Sequence, residues 1–317
     1  MNVLDASFVQ GFIRMCDDGF KQNWHERNGG NLSYRITPGE VEEIRECLSA
    51  AQPWQPIGTS VPGLAGEYFM VSGSGKYMRN MILEPEANAC IIELDGTGEN
   101  YRICWGLVKG GRPTSELPSH LMNHEVKKQA TGGKHRVIYH AHPANVIALT
   151  FVLPLKDEVF TRELWEMATE CPVVFPDGIG VVEWMVPGGR DIAVSTSELM
   201  KQYDVAIWAH HGMFCSGEDF DLTFGLMLAV ARERLAEKTA DPGVPGSRAR
   251  RDPAERGGAS DSLRINKAIT GSAGAADPRG SAALLFSGRA PSICALRPAA
   301  RSGKIGRDDT RILVTII

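Results

Sequence analysis

What the sequence lacks narrows its class first. No apolar run approaches the ~18–20 residues a membrane helix needs; the longest, 146–155, is interrupted by Thr150 and Pro154. Residues 1–20 carry Asp5, Asp17 and Asp18 where a signal peptide would place a basic region and an apolar core, so none is expected and the cytoplasm is the expected compartment. No CxxC pair occurs among the seven cysteines, at 16, 47, 90, 104, 171, 215 and 294. An odd, widely spaced set predicts reduced, mostly buried thiols rather than a disulfide framework or a zinc ribbon. Excess positive charge is also missing. At a net charge of -4, the chain has no electrostatic basis for coating nucleic acid or anionic lipid.

What is present divides unevenly along the 317 residues. Of the 23 aromatic residues (6 Trp, 6 Tyr, 11 Phe), all but Phe286 precede residue 239, as do all 8 histidines. Residues 239–317 hold 13 basic against 7 acidic residues, a balance of +6, whereas residues 1–238 hold 21 against 31, a balance of -10. The later part is built from Arg, Gly, Ala, Pro and Ser with no lasting period, and such a segment cannot bury enough apolar surface to offset chain entropy. Residues 1–238 are therefore read as the folded domain. The segment 239–317 is read either as a flexible extension or as the product of a shifted reading frame, and no chemistry is assigned to it.

Within 1–238, residues 6–24 place Phe8, Phe12, Ile13, Met15, Cys16 and Phe20 on one helical face, with Ser7 as the expected cap. Arg27–Asn31 reads as a turn, and residues 32–36 alternate as a strand. An acidic surface helix and a proline-containing loop are expected over 38–56. Strands are expected at 68–71, 89–94, 101–107, 136–142, 172–175, 181–185 and 205–209. Helices are expected from Ser115 to Lys128, after Pro143 to Phe151, over 157–169 and 195–202, and from Asp221 onward. Helices and strands mix without strict βαβ alternation, which implies one layered α/β domain with a mixed or antiparallel sheet.

Three groups of residues could carry chemistry. His140-Ala141-His142 lies in a strand, so the two imidazoles share a face about 6.5–7 Å apart along it. His211 stands at the end of a second strand, and three histidines converging on one ion leave a coordination position open, the catalytic rather than the structural arrangement. Alone, a His-x-His pair is more often incidental; His211 and nearby acids raise the metal reading. His210 is expected to point the other way. Asn28-Gly29-Gly30-Asn31 and Ser72-Gly73-Ser74-Gly75-Lys76 are turns whose exposed N–H groups could cradle an anion. Neither is a Walker or dinucleotide motif, and each singly is more often a plain turn. Ser115 could cap a helix and hold an anion there; Glu116 reads first as an acid favoured by the helix dipole, and Glu170 as an ordinary helix-end carboxylate.

In order along the chain, RNGGNLSYR, VSGSGKYMRN, PTSELPSHLMNH, YHAHPANVIALT, FTRELWE, TECPVVFPDGIG, WMVPG and HHGMFCSG resemble the class II aldolase/adducin family over approximately residues 5–238. The resemblance implies a single α/β/α domain with a central, mostly antiparallel sheet, assembled as a homotetramer, with one Zn2+ per subunit. The activity implied is a lyase reaction on a phosphorylated ketose, the reversible cleavage of L-rhamnulose 1-phosphate to dihydroxyacetone phosphate and L-lactaldehyde. Carried over by motif, the metal ligands would be His140, His142 and His211. The phosphate-binding set would be Asn28, Gly29, Asn31, Ser74, Gly75 and Ser115. Glu116 would be the acid/base, and Glu170 would reach a neighbouring subunit's site at the aldehyde end. A sibling sugar-phosphate aldolase or epimerase, and a non-catalytic adducin-like scaffold, are the competing readings. Residues after 239 have no counterpart in the family pattern.

Overall fold

A computed structural model of the protein describes residues 2–231, so the segment 239–317 lies outside the described residues. The elements run α1 (Ser7–Lys21), β1 (Asn31–Ile36), α2 (Pro38–Ile44), β2 (Gln55–Pro56), β3 (Tyr68–Ser72), α3 (Pro85–Asn88), β4 (Ala89–Leu94), β5 (Asn100–Gly106), α4 (Leu117–Ala130), β6 (Val137–Ala141), α5 (Ala144–Val152), α6 (Asp157–Met167), α7 (Cys171–Val174), β7 (Gly180–Val182), α8 (Arg190–Leu199), β8 (Val205–Trp208), β9 (Gly212–Gly217) and α9 (Phe220–Val230). The strands form one sheet in the order β2-β5-β4-β3-β1-β6-β9-β8-β7. Only β7 and β8 pair in parallel; every other neighbour is antiparallel.

Strand alternation distributes the core between two faces. Leu32, Tyr34 and Ile36 of β1 and Val137, Tyr139 and Ala141 of β6 pack with Phe8, Phe12 and Met15 of α1 and Met227 and Val230 of α9. On the other face, Ile138 of β6 joins Ala206, Trp208 and Phe214 under Ile192 of α8, while Phe69 and Val71 of β3 pack beneath Leu117 and Leu121 of α4. Helices thus cover both faces of a mostly antiparallel sheet, the α/β/α arrangement expected.

Several local expectations change. Residues 172–175 are not a strand: Pro172 occupies the first turn of α7, where its missing N–H costs nothing. Ser7 does not cap α1; the N-cap is Ala6, whose carbonyl receives the amides of Val9 and Gln10. Ser115 does not cap α4 either, because the N-cap is Glu116, and Thr114 Oγ1 accepts the Glu116 amide at 3.2 Å. Pro143 is the N-cap of α5, one position earlier than expected. Strand β9 has no counterpart among the expected strands, since GMFCSG has no alternating pattern; it is nevertheless buried at every position and pairs on both sides. Cys16, Cys90, Cys104 and Cys215 are buried free thiols, Cys171 is also buried, and Cys47 is exposed. No helix among the described residues is long and apolar enough to cross a membrane.

Candidate active site and metal centre

The central strands deliver the three histidines. His140 is the penultimate residue of β6, opposite Phe214 of β9, and His142 follows directly after the strand. β8 and β9 are joined by three residues, Ala209, His210 and His211, closed by the Trp208–Gly212 pair. His210 adopts a left-handed φ of 61°, which few side chains tolerate, and its amide and Nδ1 both meet Thr150 Oγ1, at 2.9 and 3.1 Å. That turn sends His210 away, against Phe151, and leaves His211 beside the other two rings. Gly212 permits the closeness: a Cβ there would sit 2.8 Å from His142 Cδ2. Ring centroids lie 4.9 Å (His140–His142), 5.1 Å (His140–His211) and 4.8 Å (His142–His211) apart. One nitrogen from each falls within 4.8 Å of the others, close enough to bind a single ion.

Orientation and protonation agree with that use. His140 Nδ1 lies 3.0 Å from the Met213 carbonyl, which can only accept, so Nδ1 carries the hydrogen and Nε2 turns its lone pair to the cluster. His142 Nδ1 meets Glu26 Oε1 at 2.6 Å, and its Nε2 is 3.1 Å from His140 Nε2. Burial, reinforced by the other two rings, holds His140 well below the ordinary histidine range. Burial first, then His142, brings His211 down to about 4. A neutral imidazole whose second ring nitrogen is engaged, as in His140, is the form a transition-metal ion requires, and the Glu26 contact fixes the ring of His142. The set therefore fits a divalent cation. Gly29 makes room for the orienting pair, since a Cβ there would lie 2.9 Å from both Glu26 Oε1 and His142 Nδ1.

Glu26→Ala is accordingly expected to weaken metal affinity about 10–100-fold without unfolding the protein, because the Glu26 side chain is 65% exposed. Competition against a chromogenic chelator measures it. Unaltered affinity would show that Glu26 does not orient His142.

Beside the histidines lies Glu116, buried to 8% exposure at the start of α4. Its Oε2 is 3.7 Å from His140 Nε2 and accepts a hydrogen bond from Asn31 Nδ2 at 2.9 Å. Since His140 is neutral, this is proximity and not an ion pair. Burial raises the Glu116 carboxyl above the ordinary range, opposed by the Asn31 bond and by His142.

Three loops meet at this end of the sheet. Ser72 Oγ accepts the Leu32 amide at 3.1 Å, the Thr114 amide reaches the Ser72 carbonyl at 2.9 Å, and the Ser74 amide reaches the Arg112 carbonyl at 2.8 Å. Segments 27–31, 72–76 and 112–116, which hold the expected phosphate residues, are thereby tied together. Asn28, Gly75 and Ser115 are exposed, and Gly29 and Ser74 half-buried. Asn31 differs: it is buried, with its amide held between Glu116 and His120. Glu170 is not brought into this group. It is exposed at the start of α7, whose Cys171 packs in the core on the α1 and α9 side of the sheet.

Glu26, His25, Ser33, His120 and His124 were not singled out from sequence. His25 bonds the Gly29 carbonyl (3.1 Å) and the Tyr139 hydroxyl (2.6 Å), fixing the 27–31 turn against β6. The signal for the others was available: Glu116, His120 and His124 recur at four-residue spacing on α4, and Asn31 and Ser33 at two-residue spacing on β1.

The family model for the class II aldolase and adducin N-terminal domain matches residues 10–237. The chain is 45% identical over 240 residues to rhamnulose-1-phosphate aldolase of Mannheimia succiniciproducens, covering 76% of this chain and 86% of that one. It is 45% identical over 239 residues to the Pectobacterium atrosepticum protein of the same name, covering 75% and 85%. Among solved structures, a sugar-phosphate aldolase from Thermotoga maritima superposes with a TM-score of 0.61 at 24% identity, covering 71% of this chain and 90% of that one. An L-fuculose-1-phosphate aldolase from Thermus thermophilus gives 0.50 at 19%, covering 75% and 98%. These two similarities concern the fold.

Proposed function

The chain belongs to the class II aldolase and adducin family, and from that premise we propose that it is a metal-dependent lyase that reversibly cleaves L-rhamnulose 1-phosphate into dihydroxyacetone phosphate and L-lactaldehyde. The single observation that carries the reading is the juxtaposition of three convergent histidines, two of them held through their Nδ1 atoms, with a buried carboxylate 3.7 Å from one of them. The identity to proteins named for this reaction selects it over a sibling aldolase or epimerase, and the intact histidines and Glu116 weigh against a non-catalytic scaffold.

Cleaving a C–C bond beside a ketone leaves the electron pair on an enediolate, whose charge needs a partner. A zinc ion held by His140, His142 and His211 would supply Lewis acidity toward the ketone and neighbouring hydroxyl oxygens, an effect of several kcal/mol. With that charge stabilised, a lysine Schiff base is not required. The remaining steps belong to the chain. Glu116 gives its proton to the enediolate carbon in the cleavage direction and takes it from dihydroxyacetone phosphate in the reverse direction. Asn31 occupies Oε2, which leaves Oε1 to carry that proton. Asn28, Gly29, Ser74, Gly75 and Ser115 stand on the joined loops and bind the phosphate, fixing the substrate by contacts remote from the breaking bond. Asn31 serves this set through the loop it anchors. Glu170 takes the proton of the hydroxyl that becomes the aldehyde oxygen, in a neighbouring subunit's site within a homotetramer, which accommodates its position on the far side of the sheet. The enzyme works in the cytoplasm.

The test is metal analysis of the purified full chain with a cleavage assay on L-rhamnulose 1-phosphate, before and after chelation. About one equivalent of zinc and chelator-sensitive release of L-lactaldehyde are expected. Full activity in metal-free protein, or cleavage of L-fuculose 1-phosphate in preference, would overturn the reading.

A further inference from the structure

Helix α4 turns an unusually polar face into the protein. Ser119, His120, Asn123, His124 and Lys127 are all buried, as are Asn31 and Ser33 on the strand beneath. The two elements match in pitch. Four residues of helix advance about 6.0 Å and two residues of strand about 6.6 Å, so Glu116, His120 and His124 can stand opposite Asn31, Ser33 and Arg35. The contacts follow that match: Asn31 Nδ2 to Glu116 Oε2 at 2.9 Å, His120 Nε2 to Asn31 Oδ1, Ser33 Oγ to His120 Nδ1 at 2.6 Å, and Ser33 Oγ to His124 Nε2 at 2.8 Å.

Only one arrangement of hydrogens satisfies the whole series. An ionised Glu116 can only accept, so Asn31 must present its NH2 to it and its carbonyl oxygen to His120. That oxygen needs a donor, which places the hydrogen of His120 on Nε2. His120 is neutral, held down to about 3 by burial, so its Nδ1 accepts from the Ser33 hydroxyl. Ser33 Oγ in turn accepts from His124, whose hydrogen is also on Nε2. The far end provides an independent check: this order leaves His124 Nδ1 as a bare lone pair, and His124 Nδ1 is a buried atom without a hydrogen-bond partner among the described residues. The reverse order would bury an unpaired N–H there, the rarer and costlier defect.

We infer that His120, backed by Ser33 and His124, is a positioning residue: a one-way chain of hydrogen bonds, His124 to Ser33 to His120 to Asn31 to Glu116, locks the Asn31 amide so that it always donates to the acid/base carboxylate. The inference rests on the role proposed for Glu116. Without His120 the Asn31 amide can rotate and offer its oxygen to the carboxylate, which displaces Glu116 from the reacting carbon.

Two measurements on the full zinc-loaded chain test this. The first compares His120→Leu with His120→Gln, whose amide NH2 can replace the Nε2 donor. His120→Leu is expected to lower kcat about 10²-fold with KM and zinc content little changed, and His120→Gln to recover most of that loss. In a Glu116→Ala background, His120→Leu is expected to cost nothing further. Equal losses in the two variants, or an undiminished loss in that background, would overturn the inference in favour of plain packing. The second is 15N NMR of the imidazoles in the unaltered protein, which reads tautomers independently of activity and of whether the variants fold. Both His120 and His124 are expected as Nε2–H; an Nδ1–H form of either would overturn it. An unaltered protein that cleaves no sugar phosphate would sink the proposed function instead, and the tautomers would still decide the chain.

Discussion

Glu116→Ala is expected to lower kcat for cleavage of L-rhamnulose 1-phosphate about 10²–10⁴-fold, the usual worth of a positioned proton-transfer group. The variant should keep its metal affinity and its fold, since Glu116 is not among the three clustered histidines and, among the described residues, its carboxylate accepts one side-chain hydrogen bond, from Asn31. KM should change little, because the proposed phosphate contacts lie on other residues. Steady-state kinetics with metal analysis of the same sample check this, and a kcat near that of the unaltered enzyme would remove Glu116 from its role. Direction of titration adds a second reading. Burial raises the Glu116 carboxyl, so the base form disappears at a higher pH than for an exposed glutamate. In the condensation direction, where Glu116 is the base, the acid limb of the kcat profile should therefore stand above the ordinary carboxylate range.

Stability is expected to fall steeply between pH 6.5 and pH 5. Burial holds His25 and His120 down to about 3, although the Gly29 carbonyl partly supports the charged form of His25. In the unfolded chain both titrate near 6.5. Between those values the unfolded state binds protons that the folded state refuses, so the stability these groups confer is complete above 6.5 and is lost as pH falls towards 3. Each contributes about 1.4 kcal/mol per pH unit in that window. Taken to pH 5, the two together amount to about 4 kcal/mol, a large part of a typical domain's 5–15 kcal/mol. Glu116 has the opposite sign: with its carboxyl raised, protonation favours the folded state and its contribution is lost as pH rises. It therefore offsets part of the slope near its own titration. Urea unfolding at pH 7.5, 6.5, 5.5 and 5.0 measures the trend; a midpoint unchanged down to pH 5 would show that these rings are not buried neutral.

Much of this was legible along the chain because it depends on local pattern. The alternation of 136–142, the apolar face of 6–24 and the apolar run 205–209 each carry the period of the element they form, and β4 begins and ends where expected. Segment 172–175 reads as a strand because Val, Val and Phe have high β-propensity, but that preference depends on context, and a proline in the first turn suits the short helix formed here. β9 carries no such signal because a strand buried on both faces has no alternation to detect.

The sequence by itself determined the residue types, the His-x-His spacing and the family, and so the candidate ligands and base. Only the tertiary structure decided how they are held. Met213 orients His140 from a strand 73 positions away, Glu26 orients His142 across 116, and Asn31 reaches Glu116 across 85. A period reports which face a residue occupies within its own element, whereas a hydrogen bond between elements depends on sheet order and register, which no local pattern encodes. The residues proposed to carry the reaction are thus named by the chain, and their geometry arises from packing α4 against β1 and β6 against β9.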